Sequence, residues 1–112
     1  MSTPLLVYIT CADPAQATAI ARAVVGERLA ACANILPGMT AIYRWQGAVE
    51  EGGETVLLLK TLEHRLAALQ ARVRALHSYQ CPCVVAVPIV AGTPDYLAWL
   101  AEAVSGPAAP SP

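Results

Sequence analysis

The sequence predicts an α+β fold: a ferredoxin-like β-α-β-β-α-β sandwich with an extended central hairpin and a C-terminal helix. Three observations carry that expectation. Two segments with apolar residues at helical spacing, near 14–28 and 62–76, each lie between short β-branched runs. A long strand-like run, 32–45, returns through 55–60 as a hairpin, and a third capped helical segment follows the last strand. Two β-α-β halves on one antiparallel sheet produce this order.

The elements follow in turn. Residues 5–10 (LLVYIT) are a β-branched and aromatic run that reads as a strand. Asp13 stands as N-cap before Pro14, with Gln16 at the third helical position, which is a capping-box arrangement. Ala17, Ile20, Ala21 and Val24 give that helix its apolar stripe, and Gly26 weakens its last turn, so an end near Arg28 or Leu29 is expected. Cys32 to Trp45 reads as a strand interrupted by Pro37-Gly38. Proline cannot donate to a central ladder, so the strand must bulge, bend or lie at an edge there.

The stretch 46–53 (QGAVEEGG) reads as the turn, with Glu50, Glu51 and Glu54 at an acidic tip, and 55–60 (TVLLLK) as the returning strand. Thr61 is placed to cap a second helix, in which Leu62, Leu66, Leu69, Val73 and Leu76 recur at spacings of 4, 3, 4 and 3. Residues 84–90 (VVAVPIV) form a last strand, where Pro88 again signals an edge. Thr93-Pro94-Asp95 opens a third helix with Leu97, Leu100, Ala101 and Val104 facing inward. One domain is expected over 1–104, and 105–112 (SGPAAPSP) reads as a disordered tail.

Composition narrows the function. The chain is 56% apolar and only 13% charged, with no phenylalanine. A small domain with so little polar surface is expected to bury apolar area against another chain, so a homo-oligomer is inferred. A net charge of −1 with no basic stripe disfavours nucleic acid. No apolar run reaches a membrane span, and the N-terminus has no basic region with a cleavage site, so no membrane and a cytoplasmic location are expected. The four cysteines are then expected to be reduced.

The run 27–38 (ERLAACANILPG), with 42–47 (IYRWQG) behind it, resembles the CutA divalent-cation tolerance family. Ile9-Thr10-Cys11, Leu59-Lys60-Thr61, 77–82 (HSYQCP) and 95–99 (DYLAW) extend the resemblance over roughly 5–104. It implies a cytosolic homotrimer of ferredoxin-like subunits, assembled similarly to the PII signalling proteins and associated with copper and related ions. It further implies a cleft between subunits lined by Cys11, Trp45, Lys60, His77 and Tyr79. The chain departs from the family pattern at Ala12, Gln80, Cys83 and the single His77 after Ala75-Leu76. Many members have glutamate at the positions of Gln80 and Cys83, so a thiol-rich site is favoured here over an oxygen-rich one.

The candidate metal ligands are Cys11, His77, Cys81 and Cys83. In a strand, Cys81 and Cys83 would project to one face near His77 and suit Cu(I) or Zn(II). The alternative is a pair of small core residues. Cys11 ends a strand at a helix N-terminus, which favours a lowered thiol pKa and either a ligand or a reactive thiol, or else it is a core-edge residue. Cys32 reads as core.

His77 closes a helix, either as a ligand or as a capping residue. Lys60, the only lysine, could hold an anion in the cleft or snorkel to water. Tyr43, Trp45 and Trp99 are the expected trimer contacts, and Trp45 and Tyr79 also line the cleft.

Three functions compete: a trimeric copper-binding tolerance protein, a PII-like module holding a small ligand between subunits, and a small enzyme using Cys11 with His77 and Tyr79. No Gly-rich phosphate loop or organic cofactor is indicated. No catalytic constellation emerges from spacing alone.

Overall fold

In the computed structural model, which describes residues 2–108, the chain forms β1 (Pro4–Cys11), α1 (Pro14–Gly26), β2 (Cys32–Trp45) and β3 (Ala48–Leu62). A 3-10 turn (Glu63–Arg65), α2 (Leu66–Leu76), β4 (Val84–Pro88) and α3 (Pro94–Ala103) follow. The four strands make one antiparallel sheet in the order β2-β3-β1-β4, the ferredoxin-like arrangement expected from the element order. No helix among the described residues is long and apolar enough to cross a membrane.

Strand alternation divides the sheet into two faces. Val7 and Ile9 of β1 and Leu57 and Leu59 of β3 are fully buried against Ile20 and Val24 of α1 and Leu69 and Val73 of α2. Each such side chain contributes on the order of 1.5–3 kcal/mol by leaving water. Across the sheet, α3 lays Leu100 and Val104 on Leu62 and Ala31 in a smaller second core. Tyr8, Leu36, Val85 and Val87 on that face stay exposed.

α1 begins as its sequence dictates: Asp13 Oδ1 accepts from the Gln16 N–H at 2.8 Å, and Gln16 Oε1 reaches back to the Ala12 N–H at 3.2 Å. It ends at Gly26, slightly earlier than expected, in a Schellman turn. Leu29 N–H bonds the Val24 carbonyl and Arg28 N–H the Val25 carbonyl, with Arg28 at φ 62. Beside this turn, the carboxylate of the buried Glu27 takes Arg72 Nε on both oxygens, at 3.0 and 3.1 Å, joining α1 to α2.

Pro37-Gly38 forms the expected bulge. Leu36 pairs with Val56 and Met39 with Glu54, so two β2 residues stand opposite Thr55, and Gly38 takes φ 80. The hairpin turn itself is shorter than the sequence suggests. Gln46 and Gly47, at φ 48 and 83, make a two-residue turn with both central residues left-handed. β3 therefore starts at Ala48, and Glu50, Glu51 and Glu54 lie along the strand rather than at a tip.

Thr61 also departs from its expected role. It is the penultimate residue of β3, fully buried, and its Oγ1 donates to the Leu29 carbonyl at 2.7 Å. The long β3 runs on to Leu62, and Glu63–Arg65 make the bend that starts α2. That turn receives both ends of the described stretch. His64 N–H donates to Ser2 Oγ at 2.9 Å, Arg65 Nε to the Val104 carbonyl at 3.0 Å, and Arg65 Nη2 to the Gly106 carbonyl. Of the tail expected over 105–112, residues 109–112 lie outside the described residues.

Candidate functional site

The overhanging half of the β2–β3 hairpin and the segment between α2 and β4 enclose a cleft of about 810 Å³. Tyr43, Trp45, Tyr79, Cys81 and Cys83 line it, joined by Tyr8, Met39 and Glu54. Cys81 and Cys83 precede β4 instead of lying in it, because β4 starts only at Val84. The alternation argument for a shared face therefore lapses, and what the two residues have in common is that both line the cleft. Cys81 is exposed and Cys83 half-buried; burial first, then the Glu54 charge, push the Cys83 thiol up.

Tyr79 donates its hydroxyl to Glu54 Oε2 at 2.7 Å. Burial, that bond and the Glu54 charge hold the phenol well above the usual tyrosine range. His77 lies behind this wall. Its Nε2 bonds the Thr10 carbonyl at 2.7 Å and its Nδ1 accepts the Tyr79 N–H at 3.1 Å, while its ring packs 4.7 Å from that of Tyr79. These bonds fix a neutral tautomer with the proton on Nε2, and a metal at His77 has to displace one of them.

Cys11 is fully buried on the helix-covered face of β1. Burial foremost, with Glu54 and Asp13 adding, pushes its thiol up to about 11. The lowering expected from the N-terminus of α1 is overcome, because the thiolate loses more by leaving water than it gains from the helix end.

Lys60 and Trp99 stand apart from the cleft. Lys60 Nζ lies 3.3 Å from Asn34 Oδ1 and 3.7 Å from Cys32 Sγ, with its ammonium 5.5 Å from the Tyr96 ring centre. Tyr96 above all, with Cys32 adding, holds that ammonium protonated above the usual lysine range against the opposing pull of burial. Trp99 packs its ring 5.5 Å from Tyr96 on the exposed side of α3. Cys32, read from sequence as core, is only half-buried and lies 3.6 Å from the Tyr96 hydroxyl.

The structure thus brings Tyr43, Trp45, Tyr79, Cys81 and Cys83 together, seats His77 and Cys11 behind them, and leaves Lys60 and Trp99 elsewhere. No group of three or more His, Cys, Asp or Glu side chains among the described residues is placed to hold a metal ion. What one chain offers is two thiols, soft donors by type, in the lining of the same cleft as the Glu54 carboxylate. Glu54 is the cleft residue that sequence reasoning misplaced. Its even spacing from Val56 and Leu58 marks it as a strand residue on their face.

Comparison with known proteins agrees with this architecture. Residues 5–103 match the family model described as CutA1 divalent ion tolerance protein. The "Divalent-cation tolerance protein CutA" of Thermus thermophilus is 53% identical over 97 residues, covering 87% of this chain and 94% of that protein. Its solved structure superimposes with a TM-score of 0.89 at 50% identity, over 91% of this chain and 99% of that one. The mouse "Protein CutA" is 43% identical over 93 residues, which span 83% of this chain but 52% of that longer protein. The structure named "Periplasmic divalent cation tolerance protein CutA" from Archaeoglobus fulgidus, 34% identical, gives a TM-score of 0.88 over 91% of this chain and 99% of that one. With the ferredoxin-like sheet, the overhanging hairpin and matches along nearly its whole length, the chain belongs to the CutA1 divalent ion tolerance protein family.

Proposed function

We propose that the chain is a homotrimeric metal-tolerance protein of the cytoplasm that binds copper, with zinc its nearest competitor, through thiols at a cleft between subunits. The observation that supports this reading is that Cys81 and Cys83 both line the cleft. Thiolates are soft donors that select Cu(I), and a pair of them is the set a single chain presents here. Zn(II) needs a tetrahedral set, so it would have to draw further donors from a neighbouring copy. Relatives named for divalent-cation tolerance support a metal role.

Assembly is supported by exposed apolar side chains along the hairpin and α3, among them Ile42, Tyr43, Trp45, Val49 and Trp99. The sheet also ends in two edge strands, β2 and β4, that a soluble protein has to pair or cover. Four free thiols support a reducing compartment. Binding is favoured over catalysis because the Cys11 thiol is held protonated and both His77 nitrogens are already engaged.

Native mass spectrometry of the reduced protein, titrated with Cu(I), Cu(II) and Zn(II), tests the reading. Expected is a trimer taking up one ion per subunit, with uptake lost in Cys81→Ser. A trimer without specific adducts refutes the metal site, and a monomer refutes the assembly.

One observation favours a second reading, a PII-like module for a small ligand. The cleft has the volume of a ligand pocket, which runs roughly 300–1,000 Å³, and its walls are rich in aromatic rings. Thermal shifts produced by small molecules in the presence of chelator would support it over the metal site.

A further inference from the structure

On the α3 side of the sheet, the start of β2 and the end of β3 set the chain's only lysine against a cysteine. Cys32 and Lys60 are directly opposed in the antiparallel register. Such pairing keeps Cβ atoms about 4.5–5.5 Å apart, so the backbone itself brings the two side chains together. Lys60 Nζ donates to Cys32 Sγ at 3.7 Å, and the Tyr96 hydroxyl lies 3.6 Å from the same sulfur. Asn34 Oδ1 accepts from Nζ at 3.3 Å and steadies the ammonium. An ammonium beside a half-buried sulfur is the electropositive setting in which thiols react with oxidants.

Every one of these contacts lies within one chain, so they persist whichever subunits cover that face. Hydrogen peroxide, little larger than water, needs no ligand pocket to reach the sulfur.

We infer that Cys32 and Lys60 form a peroxide-responsive modification site that closes into a reversible sulfenamide, a covalent bond between Sγ and Nζ. In the first step Sγ attacks one oxygen of hydrogen peroxide, and the O–O bond breaks. The departing hydroxide takes up the thiol proton and leaves as water, and Cys32 becomes a sulfenic acid. In the second step Nζ, after yielding one ammonium proton to solvent, attacks the sulfenic sulfur. Its flexible four-carbon stem lets it close the remaining distance. The S–O bond breaks, and the hydroxide leaves as water with a proton from the nitrogen. The sulfur has lost two electrons, the peroxide has gained them, and one proton has passed to solvent. Two added thiols reverse the link, restoring thiol and amine while they become a disulfide.

The other cysteines have no lysine to close on. The chain holds no second lysine, and Lys60 stands apart from the cleft that Cys81 and Cys83 line. Cys11 is buried on the helix-covered face of the sheet, opposite to the side where Lys60 meets Tyr96 of α3.

The test treats the reduced full chain, in chelator, with hydrogen peroxide and maps the tryptic peptides by mass. Expected is a species joining the peptide of Cys32 to that of Lys60, lighter than their sum by two hydrogen atoms and split by dithiothreitol. Residues 45–65, the stretch that carries Lys60 when trypsin skips the modified lysine, contain no cysteine, so a disulfide cannot account for it. In Lys60→Arg, which keeps the positive charge, the linked species is expected to vanish and dimedone to trap the sulfenic acid at Cys32. The linked wild-type peptide is a readout in its own right if that variant fails to fold.

A linked species one oxygen atom heavier would overturn the S–N bond in favour of an oxygen-bridged one. Dimedone trapping equal in wild type and Lys60→Arg, with no linked peptide, would overturn the role of Lys60. Cys32 left unmodified, or recovered in a disulfide, would overturn the site itself.

Discussion

His77 joins the end of β1 to the loop that carries the cleft thiols: its Nε2 meets the Thr10 carbonyl at 2.7 Å while its Nδ1 holds the Tyr79 N–H at 3.1 Å. Tyr79, Cys81 and Cys83 are thus positioned by an imidazole two residues from the nearest of them. Replacing His77 with alanine leaves the Thr10 carbonyl and the Tyr79 N–H without these partners. The expected cost is about 1–3 kcal/mol in urea unfolding, with faster hydrogen exchange at the Tyr79 amide.

Stability above neutral pH should depend on Cys11. Its thiol, ordinarily near 9.0, is pushed up to about 11 by burial, so the folded state holds the proton more firmly than the unfolded chain. The contribution is fully present below about pH 9 and is lost as pH rises through 11. At roughly 1.4 kcal/mol per unit, it amounts to about 2–3 kcal/mol. Denaturant unfolding between these limits should show a downward slope in the wild type that Cys11→Ala reduces.

Thiol reactivity should rank by exposure. At pH 8, iodoacetamide is expected to modify Cys81 first and Cys83 more slowly, and Cys11 only as the chain opens. Under the copper reading, prior addition of Cu(I) protects Cys81 and Cys83. Mass mapping of partly labelled protein gives both results, and Cys11 reacting ahead of Cys81 would contradict the burial pattern.

Arg28 occupies a left-handed position that glycine takes without strain, at the C′ site of the turn ending α1. Arg28→Gly should therefore stabilise the protein by up to about 1 kcal/mol, reduced by the added freedom of the unfolded chain. A matching rise in the urea midpoint checks it.

Thr61→Val keeps shape while removing the hydroxyl that bonds the Leu29 carbonyl at 2.7 Å in a fully buried position. The stranded carbonyl should cost about 1–3 kcal/mol, measured by the same unfolding curve.

The element order was legible because each signal is local. Asp13-Pro14 and Gln16 cap a helix with their own side chains and backbone, and Pro37-Gly38 forces a bulge wherever the strand lies. The turn was read too long because Glu-Glu-Gly-Gly, a few residues beyond Gln46-Gly47, also carries a turn signature. Gly47 and strand pairing force Gln46 to φ 48, and pairing is a property of two strands.

The site was less legible for the same reason. That Tyr43, Trp45, Tyr79, Cys81 and Cys83 share a cleft follows from the hairpin lying opposite the loop before β4. The lifted pKa of Cys11 reflects burial, which sequence suggested only as one option, and it outweighed the visible helix N-terminus. Likewise, the contact of Lys60 with Cys32 and Tyr96 draws together three elements distant in the chain.

The bulge at Pro37-Gly38 has a bearing on the wall of the cleft. Below it, even-numbered residues of β2 stand beside even-numbered residues of β3, as in Leu36 with Val56; beyond it, odd meets even, as in Tyr43 with Glu50 and Trp45 with Ala48. A single inserted residue thus works as a change of step, putting Tyr43 and Trp45 on the Glu54 side and Arg44 on the other. Were the strand to run on through Gly38 without the bulge, the even step would continue, set Arg44 opposite Ala48 and bring a guanidinium to the Glu54 side, where two aromatic rings now stand.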